Sequence, residues 1–226
     1  MMKNFAICRF WDSSIGKKLI VALTGAALVL FLAGHLSGNL LMYLGPDAFN
    51  EYAKFLHEVG HGVGIWVARL GLLGCLFLHV LATISLVIQN KKAKQQSYEC
   101  DRYVQANRGS RWMIWSGLTI LAFIVFHLLH FTVRVDADLA KLARDGSPYD
   151  MVILGFQNPL VVFFYIVAMT CLCSHLSHGV ASIFQTVGLR TKKNAMMIDL
   201  GSKAYTLAIY VGFISIPIAI YFGLIK

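Results

Sequence analysis

The chain has 226 residues, of which 58% are hydrophobic and 14% charged, with a mean hydropathy of +0.66. A soluble globular domain is nearer a quarter charged, so this composition excludes an ordinary water-soluble globule. At about 20 apolar residues per transmembrane helix, five helices and their loops use the length almost completely and leave no room for a separate soluble catalytic domain. The net charge of +9 then points to cytoplasmic loops of a membrane protein before it points to nucleic acid, which is not an expected partner.

Five apolar segments follow in chain order: residues 19–44, 65–88, 112–133, 159–187 and 205–224, each bounded by charge, Gly or Pro. Each exceeds the length of a buried helix in a soluble protein. The first follows Lys17 and Lys18 as a signal peptide would, but it is too long for such an apolar region and no small-x-small cleavage site follows; it reads as a retained helix. The second carries His79, the third His127 and His130, and the fourth His175 and His178, while the fifth has no His and contains Pro217, which predicts a kink. No low-complexity tract or fixed-period repeat interrupts the pattern. The expected architecture is an all-α integral membrane protein, one membrane-anchor domain over residues 1–226, with a four-helix core and a fifth helix packed beside it.

Loop charge predicts the orientation. Lys3, Arg9, Lys17, Lys18, Lys91, Lys92, Lys94, Arg102, Arg108, Arg111, Arg190, Lys192, Lys193 and Lys203 share one side, fourteen in all. The other side has six, Lys54, Arg69, Arg134, Lys141, Arg144 and Lys226, diluted by acids such as Asp47, Glu51, Glu58 and Asp136. Because basic loops stay in the cytoplasm, the N-terminus is expected inside and the C-terminus outside.

Ionisable residues at membrane depth are costly and signal function. Six histidines lie in four of the five segments: His35, His79, His127, His130, His175 and His178. A single one is readily explained as an interhelical hydrogen bond. Four successive helices each supplying His is explained more simply by bis-histidine ligation of haem b, since neutral imidazole is a standard axial ligand and haem needs an apolar slot. At ~1.5 Å per residue, His35 lies roughly 25 Å from Lys18 and His127 roughly 24 Å from Arg111, while His79 lies about 18 Å from Lys91 and His178 about 18 Å from Arg190. This pairs His35 with His127 nearer the outside and His79 with His178 nearer the cytoplasm, and makes both pairs diagonal neighbours on the axis of an up-down bundle. His130 and His175 each stand one turn from a chosen residue, so the choice within those turns stays open. Cys8, Cys75, Cys100, Cys171 and Cys173 form no CxxC and read as small buried residues. Cys171-Leu-Cys173-Ser174-His175 lacks the Cys before His that covalent haem attachment needs.

These residues resemble the cytochrome b subunit that anchors succinate:quinone oxidoreductase (succinate dehydrogenase or fumarate reductase), of the bacterial five-helix, two-haem type. The similar stretches are Ser13-Ser14-x-x-Lys17-Lys18 with Thr24-Gly25, Gly34-His35-x-x-Gly38-Asn39-Leu40 and Phe49-Asn50-x-Tyr52-Ala53. They continue with Arg111-Trp112-Met113, Ser116-Gly117, His127-Leu128-x-His130-Phe131 and His175-x-x-His178-Gly179 with Gln185-x-x-Gly188-Leu189, and so cover nearly the whole chain in order. The resemblance implies His35, His79, His127 and His178 as axial ligands of two haem b groups. It also implies flavoprotein and iron–sulfur subunits on the cytoplasmic face, menaquinone as acceptor, and residence in the bacterial cytoplasmic membrane. On that reading the chain is an electron-transfer subunit with no succinate site of its own. A cytochrome b anchor of another dehydrogenase or hydrogenase is the nearest alternative.

A different class of function competes. His57-Glu58-Val59-Gly60-His61 matches HExxH, the zinc-protease signature in which two His on one helix bind metal and Glu acts as base. It needs a third ligand, yet the one Glu downstream is Glu99, assigned to the opposite side. Gly60, Gly62 and Gly64 also support a helix poorly. Outside that reading, the same residues are either a solvated outer loop or a proton-exchange group near quinone, and Arg69 could neutralise haem propionates or snorkel to the interface.

Overall fold

The computed structural model describes residues 10–93 and 108–226. Lys3, Cys8, Arg9, Lys94, Glu99, Cys100 and Arg102 lie outside the described residues. All regular structure among the described residues is helical: α1 Ser14–Asn39, α2 Pro46–Glu58, α3 Val63–Ala93, α4 Arg108–His127, α5 Ala137–Arg144, α6 Pro148–Gly155, α7 Pro159–Thr186 and α8 Ala195–Tyr221. Five of these (α1 with its 3₁₀ extension Leu40–Leu44, α3, α4 with the π segment Leu128–Val133, α7 and α8) are long and apolar enough to cross a membrane. Their outward faces are apolar, with Leu30, Leu70, Phe77 and Phe163 all more than 60% exposed. Water would not tolerate so continuous an apolar exterior. The chain is a multi-pass membrane protein of the all-α class.

Local signals explain where the helices start and stop. Ser13 caps α1 by accepting from Gly16 N–H at 2.9 Å, and Asn158 caps α7 by accepting from Leu160 N–H at 2.9 Å, each satisfying an orphan donor of the first turn. Pro46, Pro148 and Pro159 occupy first-turn positions, where the missing N–H costs nothing. The fifth apolar segment begins ten residues earlier than hydropathy predicts, at Ala195, because Asp199 is paired to Arg190 at 2.8 Å and the first turns are thereby extended beyond the apolar run.

The α1 helix packs on α3, α7 and α8, and α7 packs on α4 and α8, whereas α3 and α4 do not pack closely on each other. The four His-bearing helices thus form an up-down ring with one open seam, and α8 lies across α1 and α7. Gly212 of α8 permits that approach, since a Cβ there would stand 2.7 Å from Leu36 Cδ2. The face where the N-terminal half of α1 begins will be called the N-terminal face. The opposite face is closed by α2, α5 and α6, three short helices that hydropathy does not reveal. Asn50 of α2 accepts from Tyr149 N–H at 2.9 Å, and Tyr52 seats against α1 at Gly38, where a Cβ would stand only 2.5 Å from the Tyr52 ring. Met42, Leu139, Tyr149, Phe156, Tyr165 and Ile216 form a buried cluster beneath this cover.

Candidate functional site

Imidazoles gather at two levels of the bundle, and at one of them two rings meet. At the level nearer the opposite face, His35 of α1 and His127 of α4 meet edge to face, with ring centres 5.8 Å apart and planes at 80°. Phe31 stacks on His35 at 5.2 Å and Phe213 of α8 lies at 5.8 Å, so the fifth membrane helix contributes to this level. Phe123 and Phe131 flank His127 at 5.8 and 6.0 Å.

At the other level, two hydroxyls fix two rings. Thr24 Oγ1 donates its proton to the Ile20 carbonyl at 2.6 Å, so only its lone pairs remain for His79 Nδ1, 3.2 Å away. The proton of that contact therefore belongs to Nδ1. Ser116 repeats the arrangement on α4: its hydroxyl donates to the Met113 carbonyl at 3.2 Å and accepts from His175 Nδ1 at 3.3 Å. A glycine follows each hydroxyl where the ring lies. A Cβ at Gly25 would stand 3.3 Å from His79 Cε1, and one at Gly117 would stand 3.5 Å from His175 Cε1. Thr24-Gly25 and Ser116-Gly117 are thus equivalent cradles, one per imidazole. With Nδ1 protonated, Nε2 is the bare nitrogen, the form that ligates a metal and that an outer hydrogen bond orients.

The levels are evenly separated. His35 stands ten residues beyond Gly25, His127 ten beyond Gly117, and His175 ten from Tyr165, whose Oη lies 3.1 Å from His127 Nδ1. Ten helical residues rise about 15 Å, so three helices independently give the same spacing. His178 is thirteen residues from Tyr165, about 20 Å along the helix, and makes no side-chain hydrogen bond among the described residues. Distances taken from the basic residues at helix ends match His79 with His178, whereas the hydroxyl contact between α4 and α7 falls on His175. The helix ends explain the difference. Whereas α3 runs past Lys91 to Ala93, α7 stops at Thr186, and Leu189 and Arg190 fold back to donate to the Phe184 carbonyl. Arg190 is therefore not at the top of a continuous rise.

His130 also reaches Tyr165 Oη, through Nδ1 at 3.1 Å. It lies in the π segment that begins directly after His127, a local irregularity common at functional sites. That segment ends at Arg134, a non-glycine residue at φ 60° and ψ 63°, a conformation costing roughly 1–3 kcal/mol. Arg134, Arg69 and His57 line one cavity of about 120 Å³ on the opposite face, beside Phe131. Neither arginine has a carboxylate within 4.0 Å among the described residues.

A scan against protein-family models finds no match, and neither the curated proteins nor the solved structures contain one.

The HExxH stretch does not form a metal-binding face. Helix α2 ends at Glu58, Val59 is extended and His61 adopts φ 55°, so His57 and His61 do not sit one turn apart on a helix. No group of three potential ligands from His, Cys, Asp and Glu occurs among the described residues. His57 donates from Nδ1 to the Ala53 carbonyl at 2.8 Å. Gly34 and Gly179, the small residues beside His35 and His178, face open space; Gly25 and Gly117 make the close approaches. A signal for these was present in the sequence, a hydroxyl-Gly dipeptide ten residues before a His on both α1 and α4. Nothing in the sequence distinguishes Tyr165 from any other aromatic in an apolar run.

Proposed function

We propose that this chain is the haem b membrane anchor of a succinate:quinone oxidoreductase, passing electrons from an iron–sulfur subunit through two haems to menaquinone. The observation that carries the dihaem reading is the set of imidazoles at two levels, His35 facing His127 at one, with hydroxyls at the Nδ1 of His79, His127 and His175 that leave Nε2 of those three rings free. The residues fit the group to within an ångström: metal–imidazole bonds of about 2.1 Å on either side of one ion would place the ring centres about 6.5 Å apart, and His35 and His127 stand at 5.8 Å. We assign the axial ligands as His35 with His127 and His79 with His175, leaving His178 one turn away.

Bound haem b would supply one-electron carriage, which no side chain here provides. The protein's part is to hold four neutral imidazoles, and the hydroxyls of Thr24, Ser116 and Tyr165 orient three of them. Apolar surroundings at both levels set the local dielectric and with it the potential. Arg69 and Arg134 would neutralise carboxylates entering the opposite-face cavity. The basic excess on the N-terminal face supports a cytoplasmic N-terminus, with the His79–His175 level facing the partner subunits and the His35–His127 level facing the outside. Succinate oxidation or fumarate reduction as the partner chemistry, and menaquinone as the acceptor, rest on the ordered motifs from Ser13 to Leu189, not on the geometry.

Purification of the complex from bacterial membranes tests this. A reduced-minus-oxidised spectrum and pyridine haemochrome assay should give about two non-covalent haems per chain, with a flavoprotein and an iron–sulfur protein co-purifying. A haem-free chain overturns the proposal. Two haems with different partner subunits would transfer the reading to another dehydrogenase or a hydrogenase.

A further inference from the structure

Tyr165 presents one hydroxyl to two imidazoles. His127 Nδ1 and His130 Nδ1 each lie 3.1 Å from its oxygen, and the hydroxyl makes no hydrogen bond to any other group among the described residues. A phenol has a single proton to donate. Both contacts can therefore be hydrogen bonds only if one imidazole donates to the oxygen and the other accepts from it. The ring itself is fixed by packing rather than by the hydroxyl. Phe123 and Phe156 meet it edge to face at 4.9 and 4.8 Å, and Tyr165 is 7% exposed.

We propose that Tyr165 is the positioning residue for His127: its proton is committed to His130 Nδ1, so that His127 must donate Nδ1–H to the phenol oxygen and keep Nε2 free. This rests on the dihaem reading, in which His127 is a ligand. His130 is then the group that sets the direction of the chain. Without it, the phenol oxygen still accepts from His127 Nδ1 but loses the acceptor that polarises its own O–H and strengthens that bond. The His79–His175 level needs no such device, because Thr24 and Ser116 spend their protons on backbone carbonyls of their own helices. A phenol has no carbonyl one turn behind it within reach, so the second histidine takes that place. Gly155 admits the arrangement, since a Cβ there would stand 3.3 Å from His130 Cε1.

The sign of the effect follows from charge. With an oxidised metal on Nε2, His127 would be the poorer in electron density, so its Nδ1–H would bond more strongly to Tyr165 and that bond would stabilise the oxidised state. Removing the phenol oxygen should raise the midpoint potential of the haem that uses His127. One hydrogen bond of this kind corresponds to about tenfold in the redox equilibrium, which is about 59 mV for one electron.

The test is a potentiometric titration of the intact complex, followed optically and by EPR, on Tyr165→Phe and, separately, His130→Ala. The Phe variant preserves the ring and its aromatic neighbours. Expected is retention of both haems, an upward shift of about tenfold with altered EPR g-values in one, and no change in the other. His130→Ala should shift the same haem in the same direction but less, because the phenol loses the polarisation its acceptor provides. An unchanged midpoint and EPR signal in Tyr165→Phe overturns the proposal, as does an equal shift in both haems. Should Tyr165→Phe fail to assemble, His130→Ala decides alone: no shift, or a shift in both haems, overturns it. Retention of a haem in His127→Ala with loss in His130→Ala would also overturn it by exchanging the two roles. Absence of haem from the unsubstituted complex would instead remove the reading on which this rests.

Discussion

Replacing His175 by Ala should remove one haem, and replacing His178 by Ala should remove none. The two residues lie three apart on α7, so their Cα atoms differ by about 4.5 Å in height. Metal–ligand bonds tolerate only about ±0.2 Å. One iron at the level of His79 can therefore bind one of them and not the other. Two contacts favour His175: Ser116 Oγ lies 3.3 Å from its Nδ1, and Gly117 leaves room for its ring. Pyridine haemochrome assay on the purified complex should fall from about two haems per chain to about one in His175→Ala and remain near two in His178→Ala. The haem lost should be the one that His79→Ala also loses, identified by its distinct midpoint. His35→Ala and His127→Ala should share the other loss. Partner-subunit recovery checks assembly in each case. If His178→Ala empties the haem that His79→Ala empties while His175→Ala retains it, the cradle argument is refuted. If His35→Ala and His79→Ala empty the same haem, the two-level geometry is refuted with it.

Gly25→Leu should displace the His79 ring, to which even a Cβ would stand at 3.3 Å, and empty only that haem; Gly34→Leu, whose Cβ would meet nothing within 4 Å, should keep both on the same assay. Gly38→Ala places a Cβ 2.5 Å from Tyr52, so it should cost roughly 1–3 kcal/mol as an overpacked contact; thermal unfolding should show this cost relieved when Tyr52→Ala is added. Arg134→Gly relieves a left-handed backbone at φ 60° while deleting a cation beside Phe131, so thermal stability should hold or rise while the midpoint of the His35–His127 haem falls. Reporter fusions after Lys94 or Lys192 should read cytoplasmic and fusions near Ala143 external; the reverse at any of these points would invert the assignment of the two faces.

Hydropathy and charge belong to single segments, and what depends on single segments was legible without a structure. Five membrane helices could be read from 19–44 to 205–224 because burial in lipid requires an apolar residue at nearly every position, whatever the neighbouring helix is. The histidines at membrane depth stood out for the same reason. The covers α2, α5 and α6 were not legible from apolar runs: α2 and α5 are amphipathic helices of thirteen and eight residues, and α6 is eight mostly apolar residues, all too short to register as membrane spans. A ruler laid from basic residues matched His35 with His127 but left the choice between His175 and His178 open, because a charge can sit inside a helix, as Lys91 does, or beyond its end in a turn, as Arg190 does. Only packing between helices sets a common height, and it does so through residues whose meaning is pairwise. Gly25 matters because His79 lies over it, Ser116 because its proton goes to Met113, and Tyr165 because two rings reach one hydroxyl. Residue types and their spacing along the chain belong to the sequence; which nitrogen is left bare, and opposite which partner, is decided where α1 meets α3 and α4 meets α7.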